Sequence, residues 1–223
     1  MNCLPKEFFL QDDVLEVAQN LLGTYLFTDI DGQITGGIIT ETEAYKGICD
    51  RASHAFGGRK TKRNAVMYHE GGDASVYLCY GMHHLLNFVT NQENIPDAVL
   101  IRAIYPTHGC ELMLKRTGKT QASPRITDGP GKVTKALGIT MEHNGIPLDN
   151  NRIWIEDRKL NITHEMIVSS PRIGVDYAGE DALCKHVFAV VIILNTQLLA
   201  EPFYLSVGLK ADLKLFIVEL GDK

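Results

Sequence analysis

The segment Glu41-Thr42-Glu43-Ala44-Tyr45 ends an extended run that is otherwise apolar. Side chains alternate along a strand, so Ile39, Glu41, Glu43 and Tyr45 are expected on one face, with a carboxylate and an aromatic ring projecting together from beside the core. A carboxylate so placed can take a proton from water or steady a positive charge forming nearby. An isolated Glu-x-Glu pair is more often a surface feature, and the segment alone does not choose between these readings. His54 follows nine residues after Tyr45, just ahead of Gly57-Gly58 and a basic run. In Tyr77-Leu78-Cys79-Tyr80-Gly81-Met82, Tyr80 and Met82 fall at the tip of an expected hairpin, where exposed aromatic and thioether groups act as wedges or anchors. The plainer alternative is that Tyr77 and Tyr80 complete the core with their hydroxyls in water. Arg102, inside Val99-Leu100-Ile101-Arg102-Ala103-Ile104, needs an anionic or carbonyl partner if buried, unless an edge strand lets it reach solvent.

Charge is unevenly distributed. The net charge of −5 and the pI near 5.9 argue against a polyanionic partner. Yet residues 51–69 and 115–135 together carry 11 of the 22 Lys and Arg and only 1 of the 27 Asp and Glu, a local excess of +10 on a remainder of −15. Such segregation can make one positive face on an acidic body, or can simply be two solvated loops.

The elements that must position these residues are a helix from Asp12, as cap, to Gly23, then a hairpin of residues 25–27 and 34–45 about the turn Asp31-Gly32. A basic, glycine-containing loop spans 46–70. Strands are expected at 74–79 and 84–90 around a turn at 80–83, and at 99–105, 152–156, 172–175 and 186–194. Helices are expected from 111 and over 131–137. Hairpins mixed with a few short helices, without a strand–helix repeat, point to an α+β fold. No linker or internal repeat divides the chain, so residues 1–223 are read as a single domain.

Composition excludes further classes. The longest apolar run, 187–194, is eight residues, far short of the roughly 20 that cross a bilayer, so a soluble cytoplasmic protein without a membrane role is expected. Five scattered cysteines without a Cys-x-x-Cys pair fit neither a disulfide framework nor a zinc ribbon, and His83-His84 lacks partners at ligand spacing. No metal and no cofactor is expected.

Read in order, Glu41-Thr42-Glu43-Ala44-Tyr45, Ala52-Ser53-His54, Gly57-Gly58-Arg59-Lys60-Thr61, Arg63-Asn64, Val76-Tyr77-Leu78-Cys79-Tyr80-Gly81-Met82, Asn87, Val99-Leu100-Ile101-Arg102-Ala103 and Gly129-Pro130-Gly131-Lys132 resemble the alkyladenine (3-methyladenine) DNA glycosylase family, from about Phe9 to about Val191. The resemblance implies a single mixed domain around a curved antiparallel sheet. It implies a monofunctional base-excision enzyme, monomeric on damaged double-stranded DNA and nucleoid-associated when bound. Its substrates would be 3-methyladenine, 7-methylguanine, hypoxanthine and ethenoadenine. By motif, Glu43 would activate the attacking water, with Arg102 holding water and carboxylate. Tyr45, His54 and Tyr77 would enclose the flipped base, Asn87 would crowd the purine 2-position, and the carbonyl of Ile173 would touch the water. Tyr80 and Met82 would intercalate, while Arg59, Thr61, Arg63 and Lys132 would meet the DNA backbone. The acidic balance departs from the better-known members and implies weaker non-specific DNA affinity. A histidine at 83 also departs from them. The rival readings are a non-catalytic nucleic-acid module, which has no use for Glu43 and Arg102 in a pocket, and a metal-dependent hydrolase using His54, His83 or His84. Lys46 is the lysine near enough in sequence to Glu43 to keep imine chemistry open.

Overall fold

The computed structural model describes residues 3–149 and 151–190. Asp13, rather than Asp12, caps the first helix, its carboxylate accepting from the Leu15 N–H at 2.9 Å, and α1 runs Val14–Asn20. The following hairpin pairs β1, Tyr25–Ile30, with β2, Gln33–Tyr45. Asp31 and Gly32 both take positive φ, 57° and 74°, as a tight two-residue turn requires. The loop 46–70 is built from short 3-10 turns, after which β3, Ala74–Cys79, returns as β4, His83–Thr90. Then come β5 (Asp97–His108), α2 (Cys110–Thr117), α3 (Pro130–Leu137), β6 (Ile153–Glu156), β7 (Ile167–Ser170) and β8 (Val187–Val190).

All strand pairings are antiparallel, in the order β3-β4-β5-β2-β1-β6, and the sheet curls into a half-barrel. β2 is the spine: one edge pairs with β5 from Gly36 to Tyr45, while the other pairs first with β1 and then, at 41–43, with β8. The architecture is a single α+β domain around a curved antiparallel sheet. Ile38, Leu26, Leu86, Phe88, Ile101 and Ile104 form the centre of the core with Met113 and Leu137 from the helices. Thr42 fastens α1 to β2 by donating to the Ala18 carbonyl at 2.8 Å.

Other expectations change as well. Residues 172–175 form no strand; the chain bends at Ile173 and Gly174, where Gly174 takes φ 78°, and the Arg172 side chain goes into an ion pair rather than a ladder. The strand of this region is β7, which pairs with β8. The expected turn of 80–83 is also tighter, with Tyr80 and Gly81 as central residues at φ 50° and 69°, and the Met82 N–H donating to the Cys79 carbonyl at 3.1 Å. The expected strand 186–194 is seen as 187–190; His186 precedes it outside any strand, and 191–194 lie outside the described residues.

Candidate active site

Strict alternation along β2 breaks where the chemistry begins. The β2–β5 register shifts between Ile39 and Glu41 and again between Glu41 and Thr42, leaving Thr40 and Arg102 unpaired in the ladder. Ile38 and Ile39, in regular pairing ahead of these shifts, point to opposite faces and are both buried in the core. Such irregularities re-aim side chains, and here they bring Arg102 of β5 to the carboxylates of β2. Its Nε donates to Glu41 Oε1 at 2.7 Å and its Nη1 to Glu43 Oε2. The other oxygen of Glu43 accepts from the Tyr45 hydroxyl. Glu43 is only 1% exposed, so it is held on both sides in a nearly dry setting. Two carboxylates share one guanidinium, and the trio carries a net charge of −1.

Burial pushes the Tyr45 phenol well above its usual range, and the neighbouring Glu43 charge adds to this, so Tyr45 remains a neutral donor. Burial also works against the Arg102 charge, but Glu43 and Glu41 outweigh it and raise its pKa. His54 is pushed down by burial and then by Arg63 and Arg59, and is neutral at pH 7. Burial likewise raises Tyr77.

These groups line one cavity of about 530 Å³, within the range of roughly 300–1,000 Å³ usual for small-ligand sites. Glu43, Arg102, Tyr45, His54, Tyr77, Asn87, Ile173 and Tyr80 all border it, bringing together residues up to 130 positions apart. His54 and Tyr77 meet edge to face, with centroids 4.9 Å apart and planes at 87°. They therefore make a corner, in which a flat base can stack on one ring and abut the other. Asn87 borders the cavity and also donates to the Ser75 carbonyl at 3.3 Å, tying β4 to β3.

A second hollow, about 440 Å³, adjoins the first and shares His54, Arg63 and Tyr177 with it. Arg59 and Thr61 line it, as does Arg51, which the sequence reading did not single out. Asn64 organises this loop. Its amide donates to the carbonyls of His54 (3.0 Å) and Arg59 (2.7 Å), and its oxygen accepts from the N–H (2.7 Å) and hydroxyl (3.0 Å) of Thr61. Tyr177, 72% exposed, stands between the hollows with its hydroxyl donating to the Ala52 carbonyl at 3.2 Å. Its place in both walls was invisible in sequence because the partner that fixes it, the Ala52 carbonyl, is 125 positions away.

Tyr80 is 85% exposed at the hairpin tip, and Met82 is exposed beside it, outside the cavity. Positive φ is unusual for a bulky residue, so the turn holds this ring out at a conformational cost. Lys132 lies exposed on α3, paired with Asp128 and donating to the Arg125 carbonyl at 3.2 Å, outside both hollows. The histidine doublet has a packing role. A Cβ on Gly131 would come within 3.1 Å of His83, and Thr134 donates to the His84 carbonyl at 2.6 Å, so α3 docks on the start of β4.

Among the described residues, no three His, Cys, Asp or Glu side chains gather as a metal site, no lysine lines the main cavity, and no helix is long and apolar enough to cross a membrane. Residues 7–190 match the methylpurine-DNA glycosylase family. A Chlamydia felis protein named "Putative 3-methyladenine DNA glycosylase" is 51% identical over 179 residues, covering 79% of this chain and 90% of its own. Bearing the same name, a Chlamydia pneumoniae protein is 51% identical over 178 residues (79% and 89% coverage), and one from Bacillus cereus strain B4264 is 44% identical over 180 (77% and 88%). With this match spanning the whole described sheet and cavity, the chain belongs to the methylpurine-DNA glycosylase family and is a DNA-repair hydrolase of N-glycosyl bonds.

Proposed function

We propose that the protein flips alkylated or deaminated purines, namely 3-methyladenine, 7-methylguanine, hypoxanthine and ethenoadenine, out of duplex DNA. It then hydrolyses the N-glycosidic bond with a water activated by Glu43, leaving an abasic site. The observation that carries this reading is the buried Glu43 carboxylate, held by Tyr45 and Arg102, beside three aromatic rings in one cavity. A base inside a duplex is out of reach, and extruding it costs a few kcal/mol, least where it is damaged. Stacking in the His54–Tyr77 corner offsets roughly 1–3 kcal/mol of this. Bases methylated at N3 or N7 are cationic, which favours tyrosine faces.

As the glycosidic bond lengthens, positive charge builds on the sugar. The Glu41–Glu43–Arg102 trio, with its net −1, opposes that charge; Glu43 takes the water's proton as oxygen attacks the anomeric carbon, and the base leaves with the electron pair of the broken bond, neutral where N3 or N7 methylation had made it cationic and otherwise taking up a proton from solvent. Ile173, at the cavity edge, offers its carbonyl to the same water. Water is the only co-reactant needed, so the reaction calls for no cofactor. Asn87 crowds the purine 2-position, where guanine carries an amino group that adenine and hypoxanthine lack, and rejects undamaged guanine; 7-methylguanine meets the same crowding, but its cationic ring is a far better leaving group.

Tyr80, with Met82 beside it, fills the space left in the helix, while Arg59, Thr61 and Arg63 in the second hollow, together with Lys132, take the DNA backbone. The same reading has residues 1–223 acting as one domain, a monomer in the cytoplasm that joins the nucleoid when bound. The test is incubation with duplexes each carrying one of the four lesions, followed by alkali, which cleaves at abasic sites. Cleavage at the lesion positions supports the reading, and its absence on all four from folded protein refutes it.

A further inference from the structure

Arg172 and Asp50 form a buried ion pair that the chemistry above leaves unused. The Arg172 side chain is 0% exposed and donates to Asp50 through Nη1 at 2.5 Å and Nη2 at 2.8 Å. Nη1 also reaches the Ala44 carbonyl at 3.3 Å, and Nη2 the Asp181 carbonyl at 3.0 Å. Asp50 in turn accepts from the backbone N–H of Ala52 at 2.9 Å and of Lys46 at 3.2 Å. The guanidinium lies over the Tyr45 ring, 5.2 Å from its centroid.

Stability alone is a poor reason for this arrangement. Burying two charges is costly, and well-packed apolar residues often do as well or better. The Arg172 Nε is moreover buried without a partner. What the pair does, and an apolar contact could not, is fasten three segments by directional bonds. These are the end of β2, which carries Tyr45, the loop through Asp50 to Ala52 and His54, and the segment from Arg172 to Asp181, which carries Ile173 and Tyr177. Each contributes a wall of the cavity. With the cation on one face of Tyr45, a base can stack only on the other, and the ring is held with its hydroxyl on Glu43.

Resting on the hydrolytic reading above, we propose that Arg172, pinned by Asp50, is a positioning residue for excision. It fixes the Tyr45 ring so that its hydroxyl keeps the Glu43 carboxylate aligned on the attacking water. The positive charge beside the ring also favours proton donation from the phenol.

A double-mutant cycle on single-turnover excision tests this, using wild type, Arg172→Met, Tyr45→Phe and the pair, all well below the lowest melting temperature. Each single change should slow excision about tenfold, as loss of one hydrogen bond from the transition state would, and the double variant should be no slower than the slower single. Affinity for undamaged duplex should stay unchanged throughout. A purely structural role would lower melting temperature without this coupling. Effects of the two changes that multiply, or an Arg172→Met variant as fast as wild type, would overturn the proposal. If Arg172→Met does not fold, Arg172→Lys and Asp50→Asn take its place with the same two outcomes decisive. A wild-type protein inactive on every lesion duplex would instead overturn the hydrolytic reading beneath it.

Discussion

Replacing Glu43 by glutamine changes one oxygen to an amide, and the structure says what that leaves intact. The amide oxygen can still accept from Arg102, which also keeps Glu41 at 2.7 Å, and the Tyr45 hydroxyl can turn from donor to acceptor. One amide N–H and the redirected Tyr45 hydroxyl proton lose their partners in this nearly dry setting, so the stability cost is about 1–3 kcal/mol. Two things are lost. A side chain that takes a proton from water contributes ~10²–10⁴-fold. The trio also goes from −1 to neutral, and a unit charge about 4 Å from the forming cation is worth on the order of 4 kcal/mol at an effective dielectric near 20. One carboxylate does both, so the losses overlap rather than add, and the expected fall is ~10³-fold, about 4 kcal/mol. The assay is single-turnover excision from a hypoxanthine duplex with enzyme in excess, alongside gel-shift affinity for the same duplex. Affinity should hold while the rate falls. Excision within a few-fold of wild type refutes the role of Glu43, and parallel loss of binding and folding would make it a structural residue.

Three further outcomes follow from the same geometry. Tyr80→Ala removes a ring that is already in solvent, so melting temperature should not change, while lesion-duplex affinity falls by roughly 1–3 kcal/mol of lost stacking; equal affinity would remove Tyr80 from the interface. Arg51→Gln and Arg59→Gln should each weaken binding to all duplexes alike and reduce the log–log salt slope by about 0.9 per lost phosphate contact, whereas unchanged slopes in both would place the backbone away from this hollow. His54, His108, His143 and His186 are all pushed below 6.5, chiefly by burial, so the unfolded chain binds more protons. Stability should therefore be full above about pH 6.5 and decline as pH falls below it, with His54→Asn lessening the decline in a melting-temperature series from pH 8 to 5.

The catalytic strand was legible because Glu43, Tyr45 and Arg102 lie in short motifs whose residue types are unusual for their apolar setting. The β2–β5 register shifts were not, since a bulge leaves no mark in alternation until both strands are seen, and with them went the sharing of Arg102 by Glu41 and Glu43. Arg172 was misread for a related reason: in 172–175 the apolar Ile and Val suggested a strand, while its decisive partner, Asp50, is 122 positions away. The choice of Asp13 over Asp12 as helix cap turns on one residue of backbone geometry, which two adjacent acids cannot reveal. The hairpin tip was found from its Gly, but the positive φ at Tyr80 came only with the structure.

The central claim is that water, positioned by Glu43, breaks the glycosidic bond, with no amine of the protein as nucleophile. Among the described residues no lysine lines the cavity, so no imine to the sugar should form there. The most direct measurement incubates wild-type protein with a lesion duplex, with and without borohydride, and follows the free base, the DNA strand and any protein–DNA adduct. The account predicts free base released in step with abasic sites, a strand intact until alkali is added, and no trapped adduct. A borohydride-trapped covalent complex, or strand scission without alkali, would contradict it.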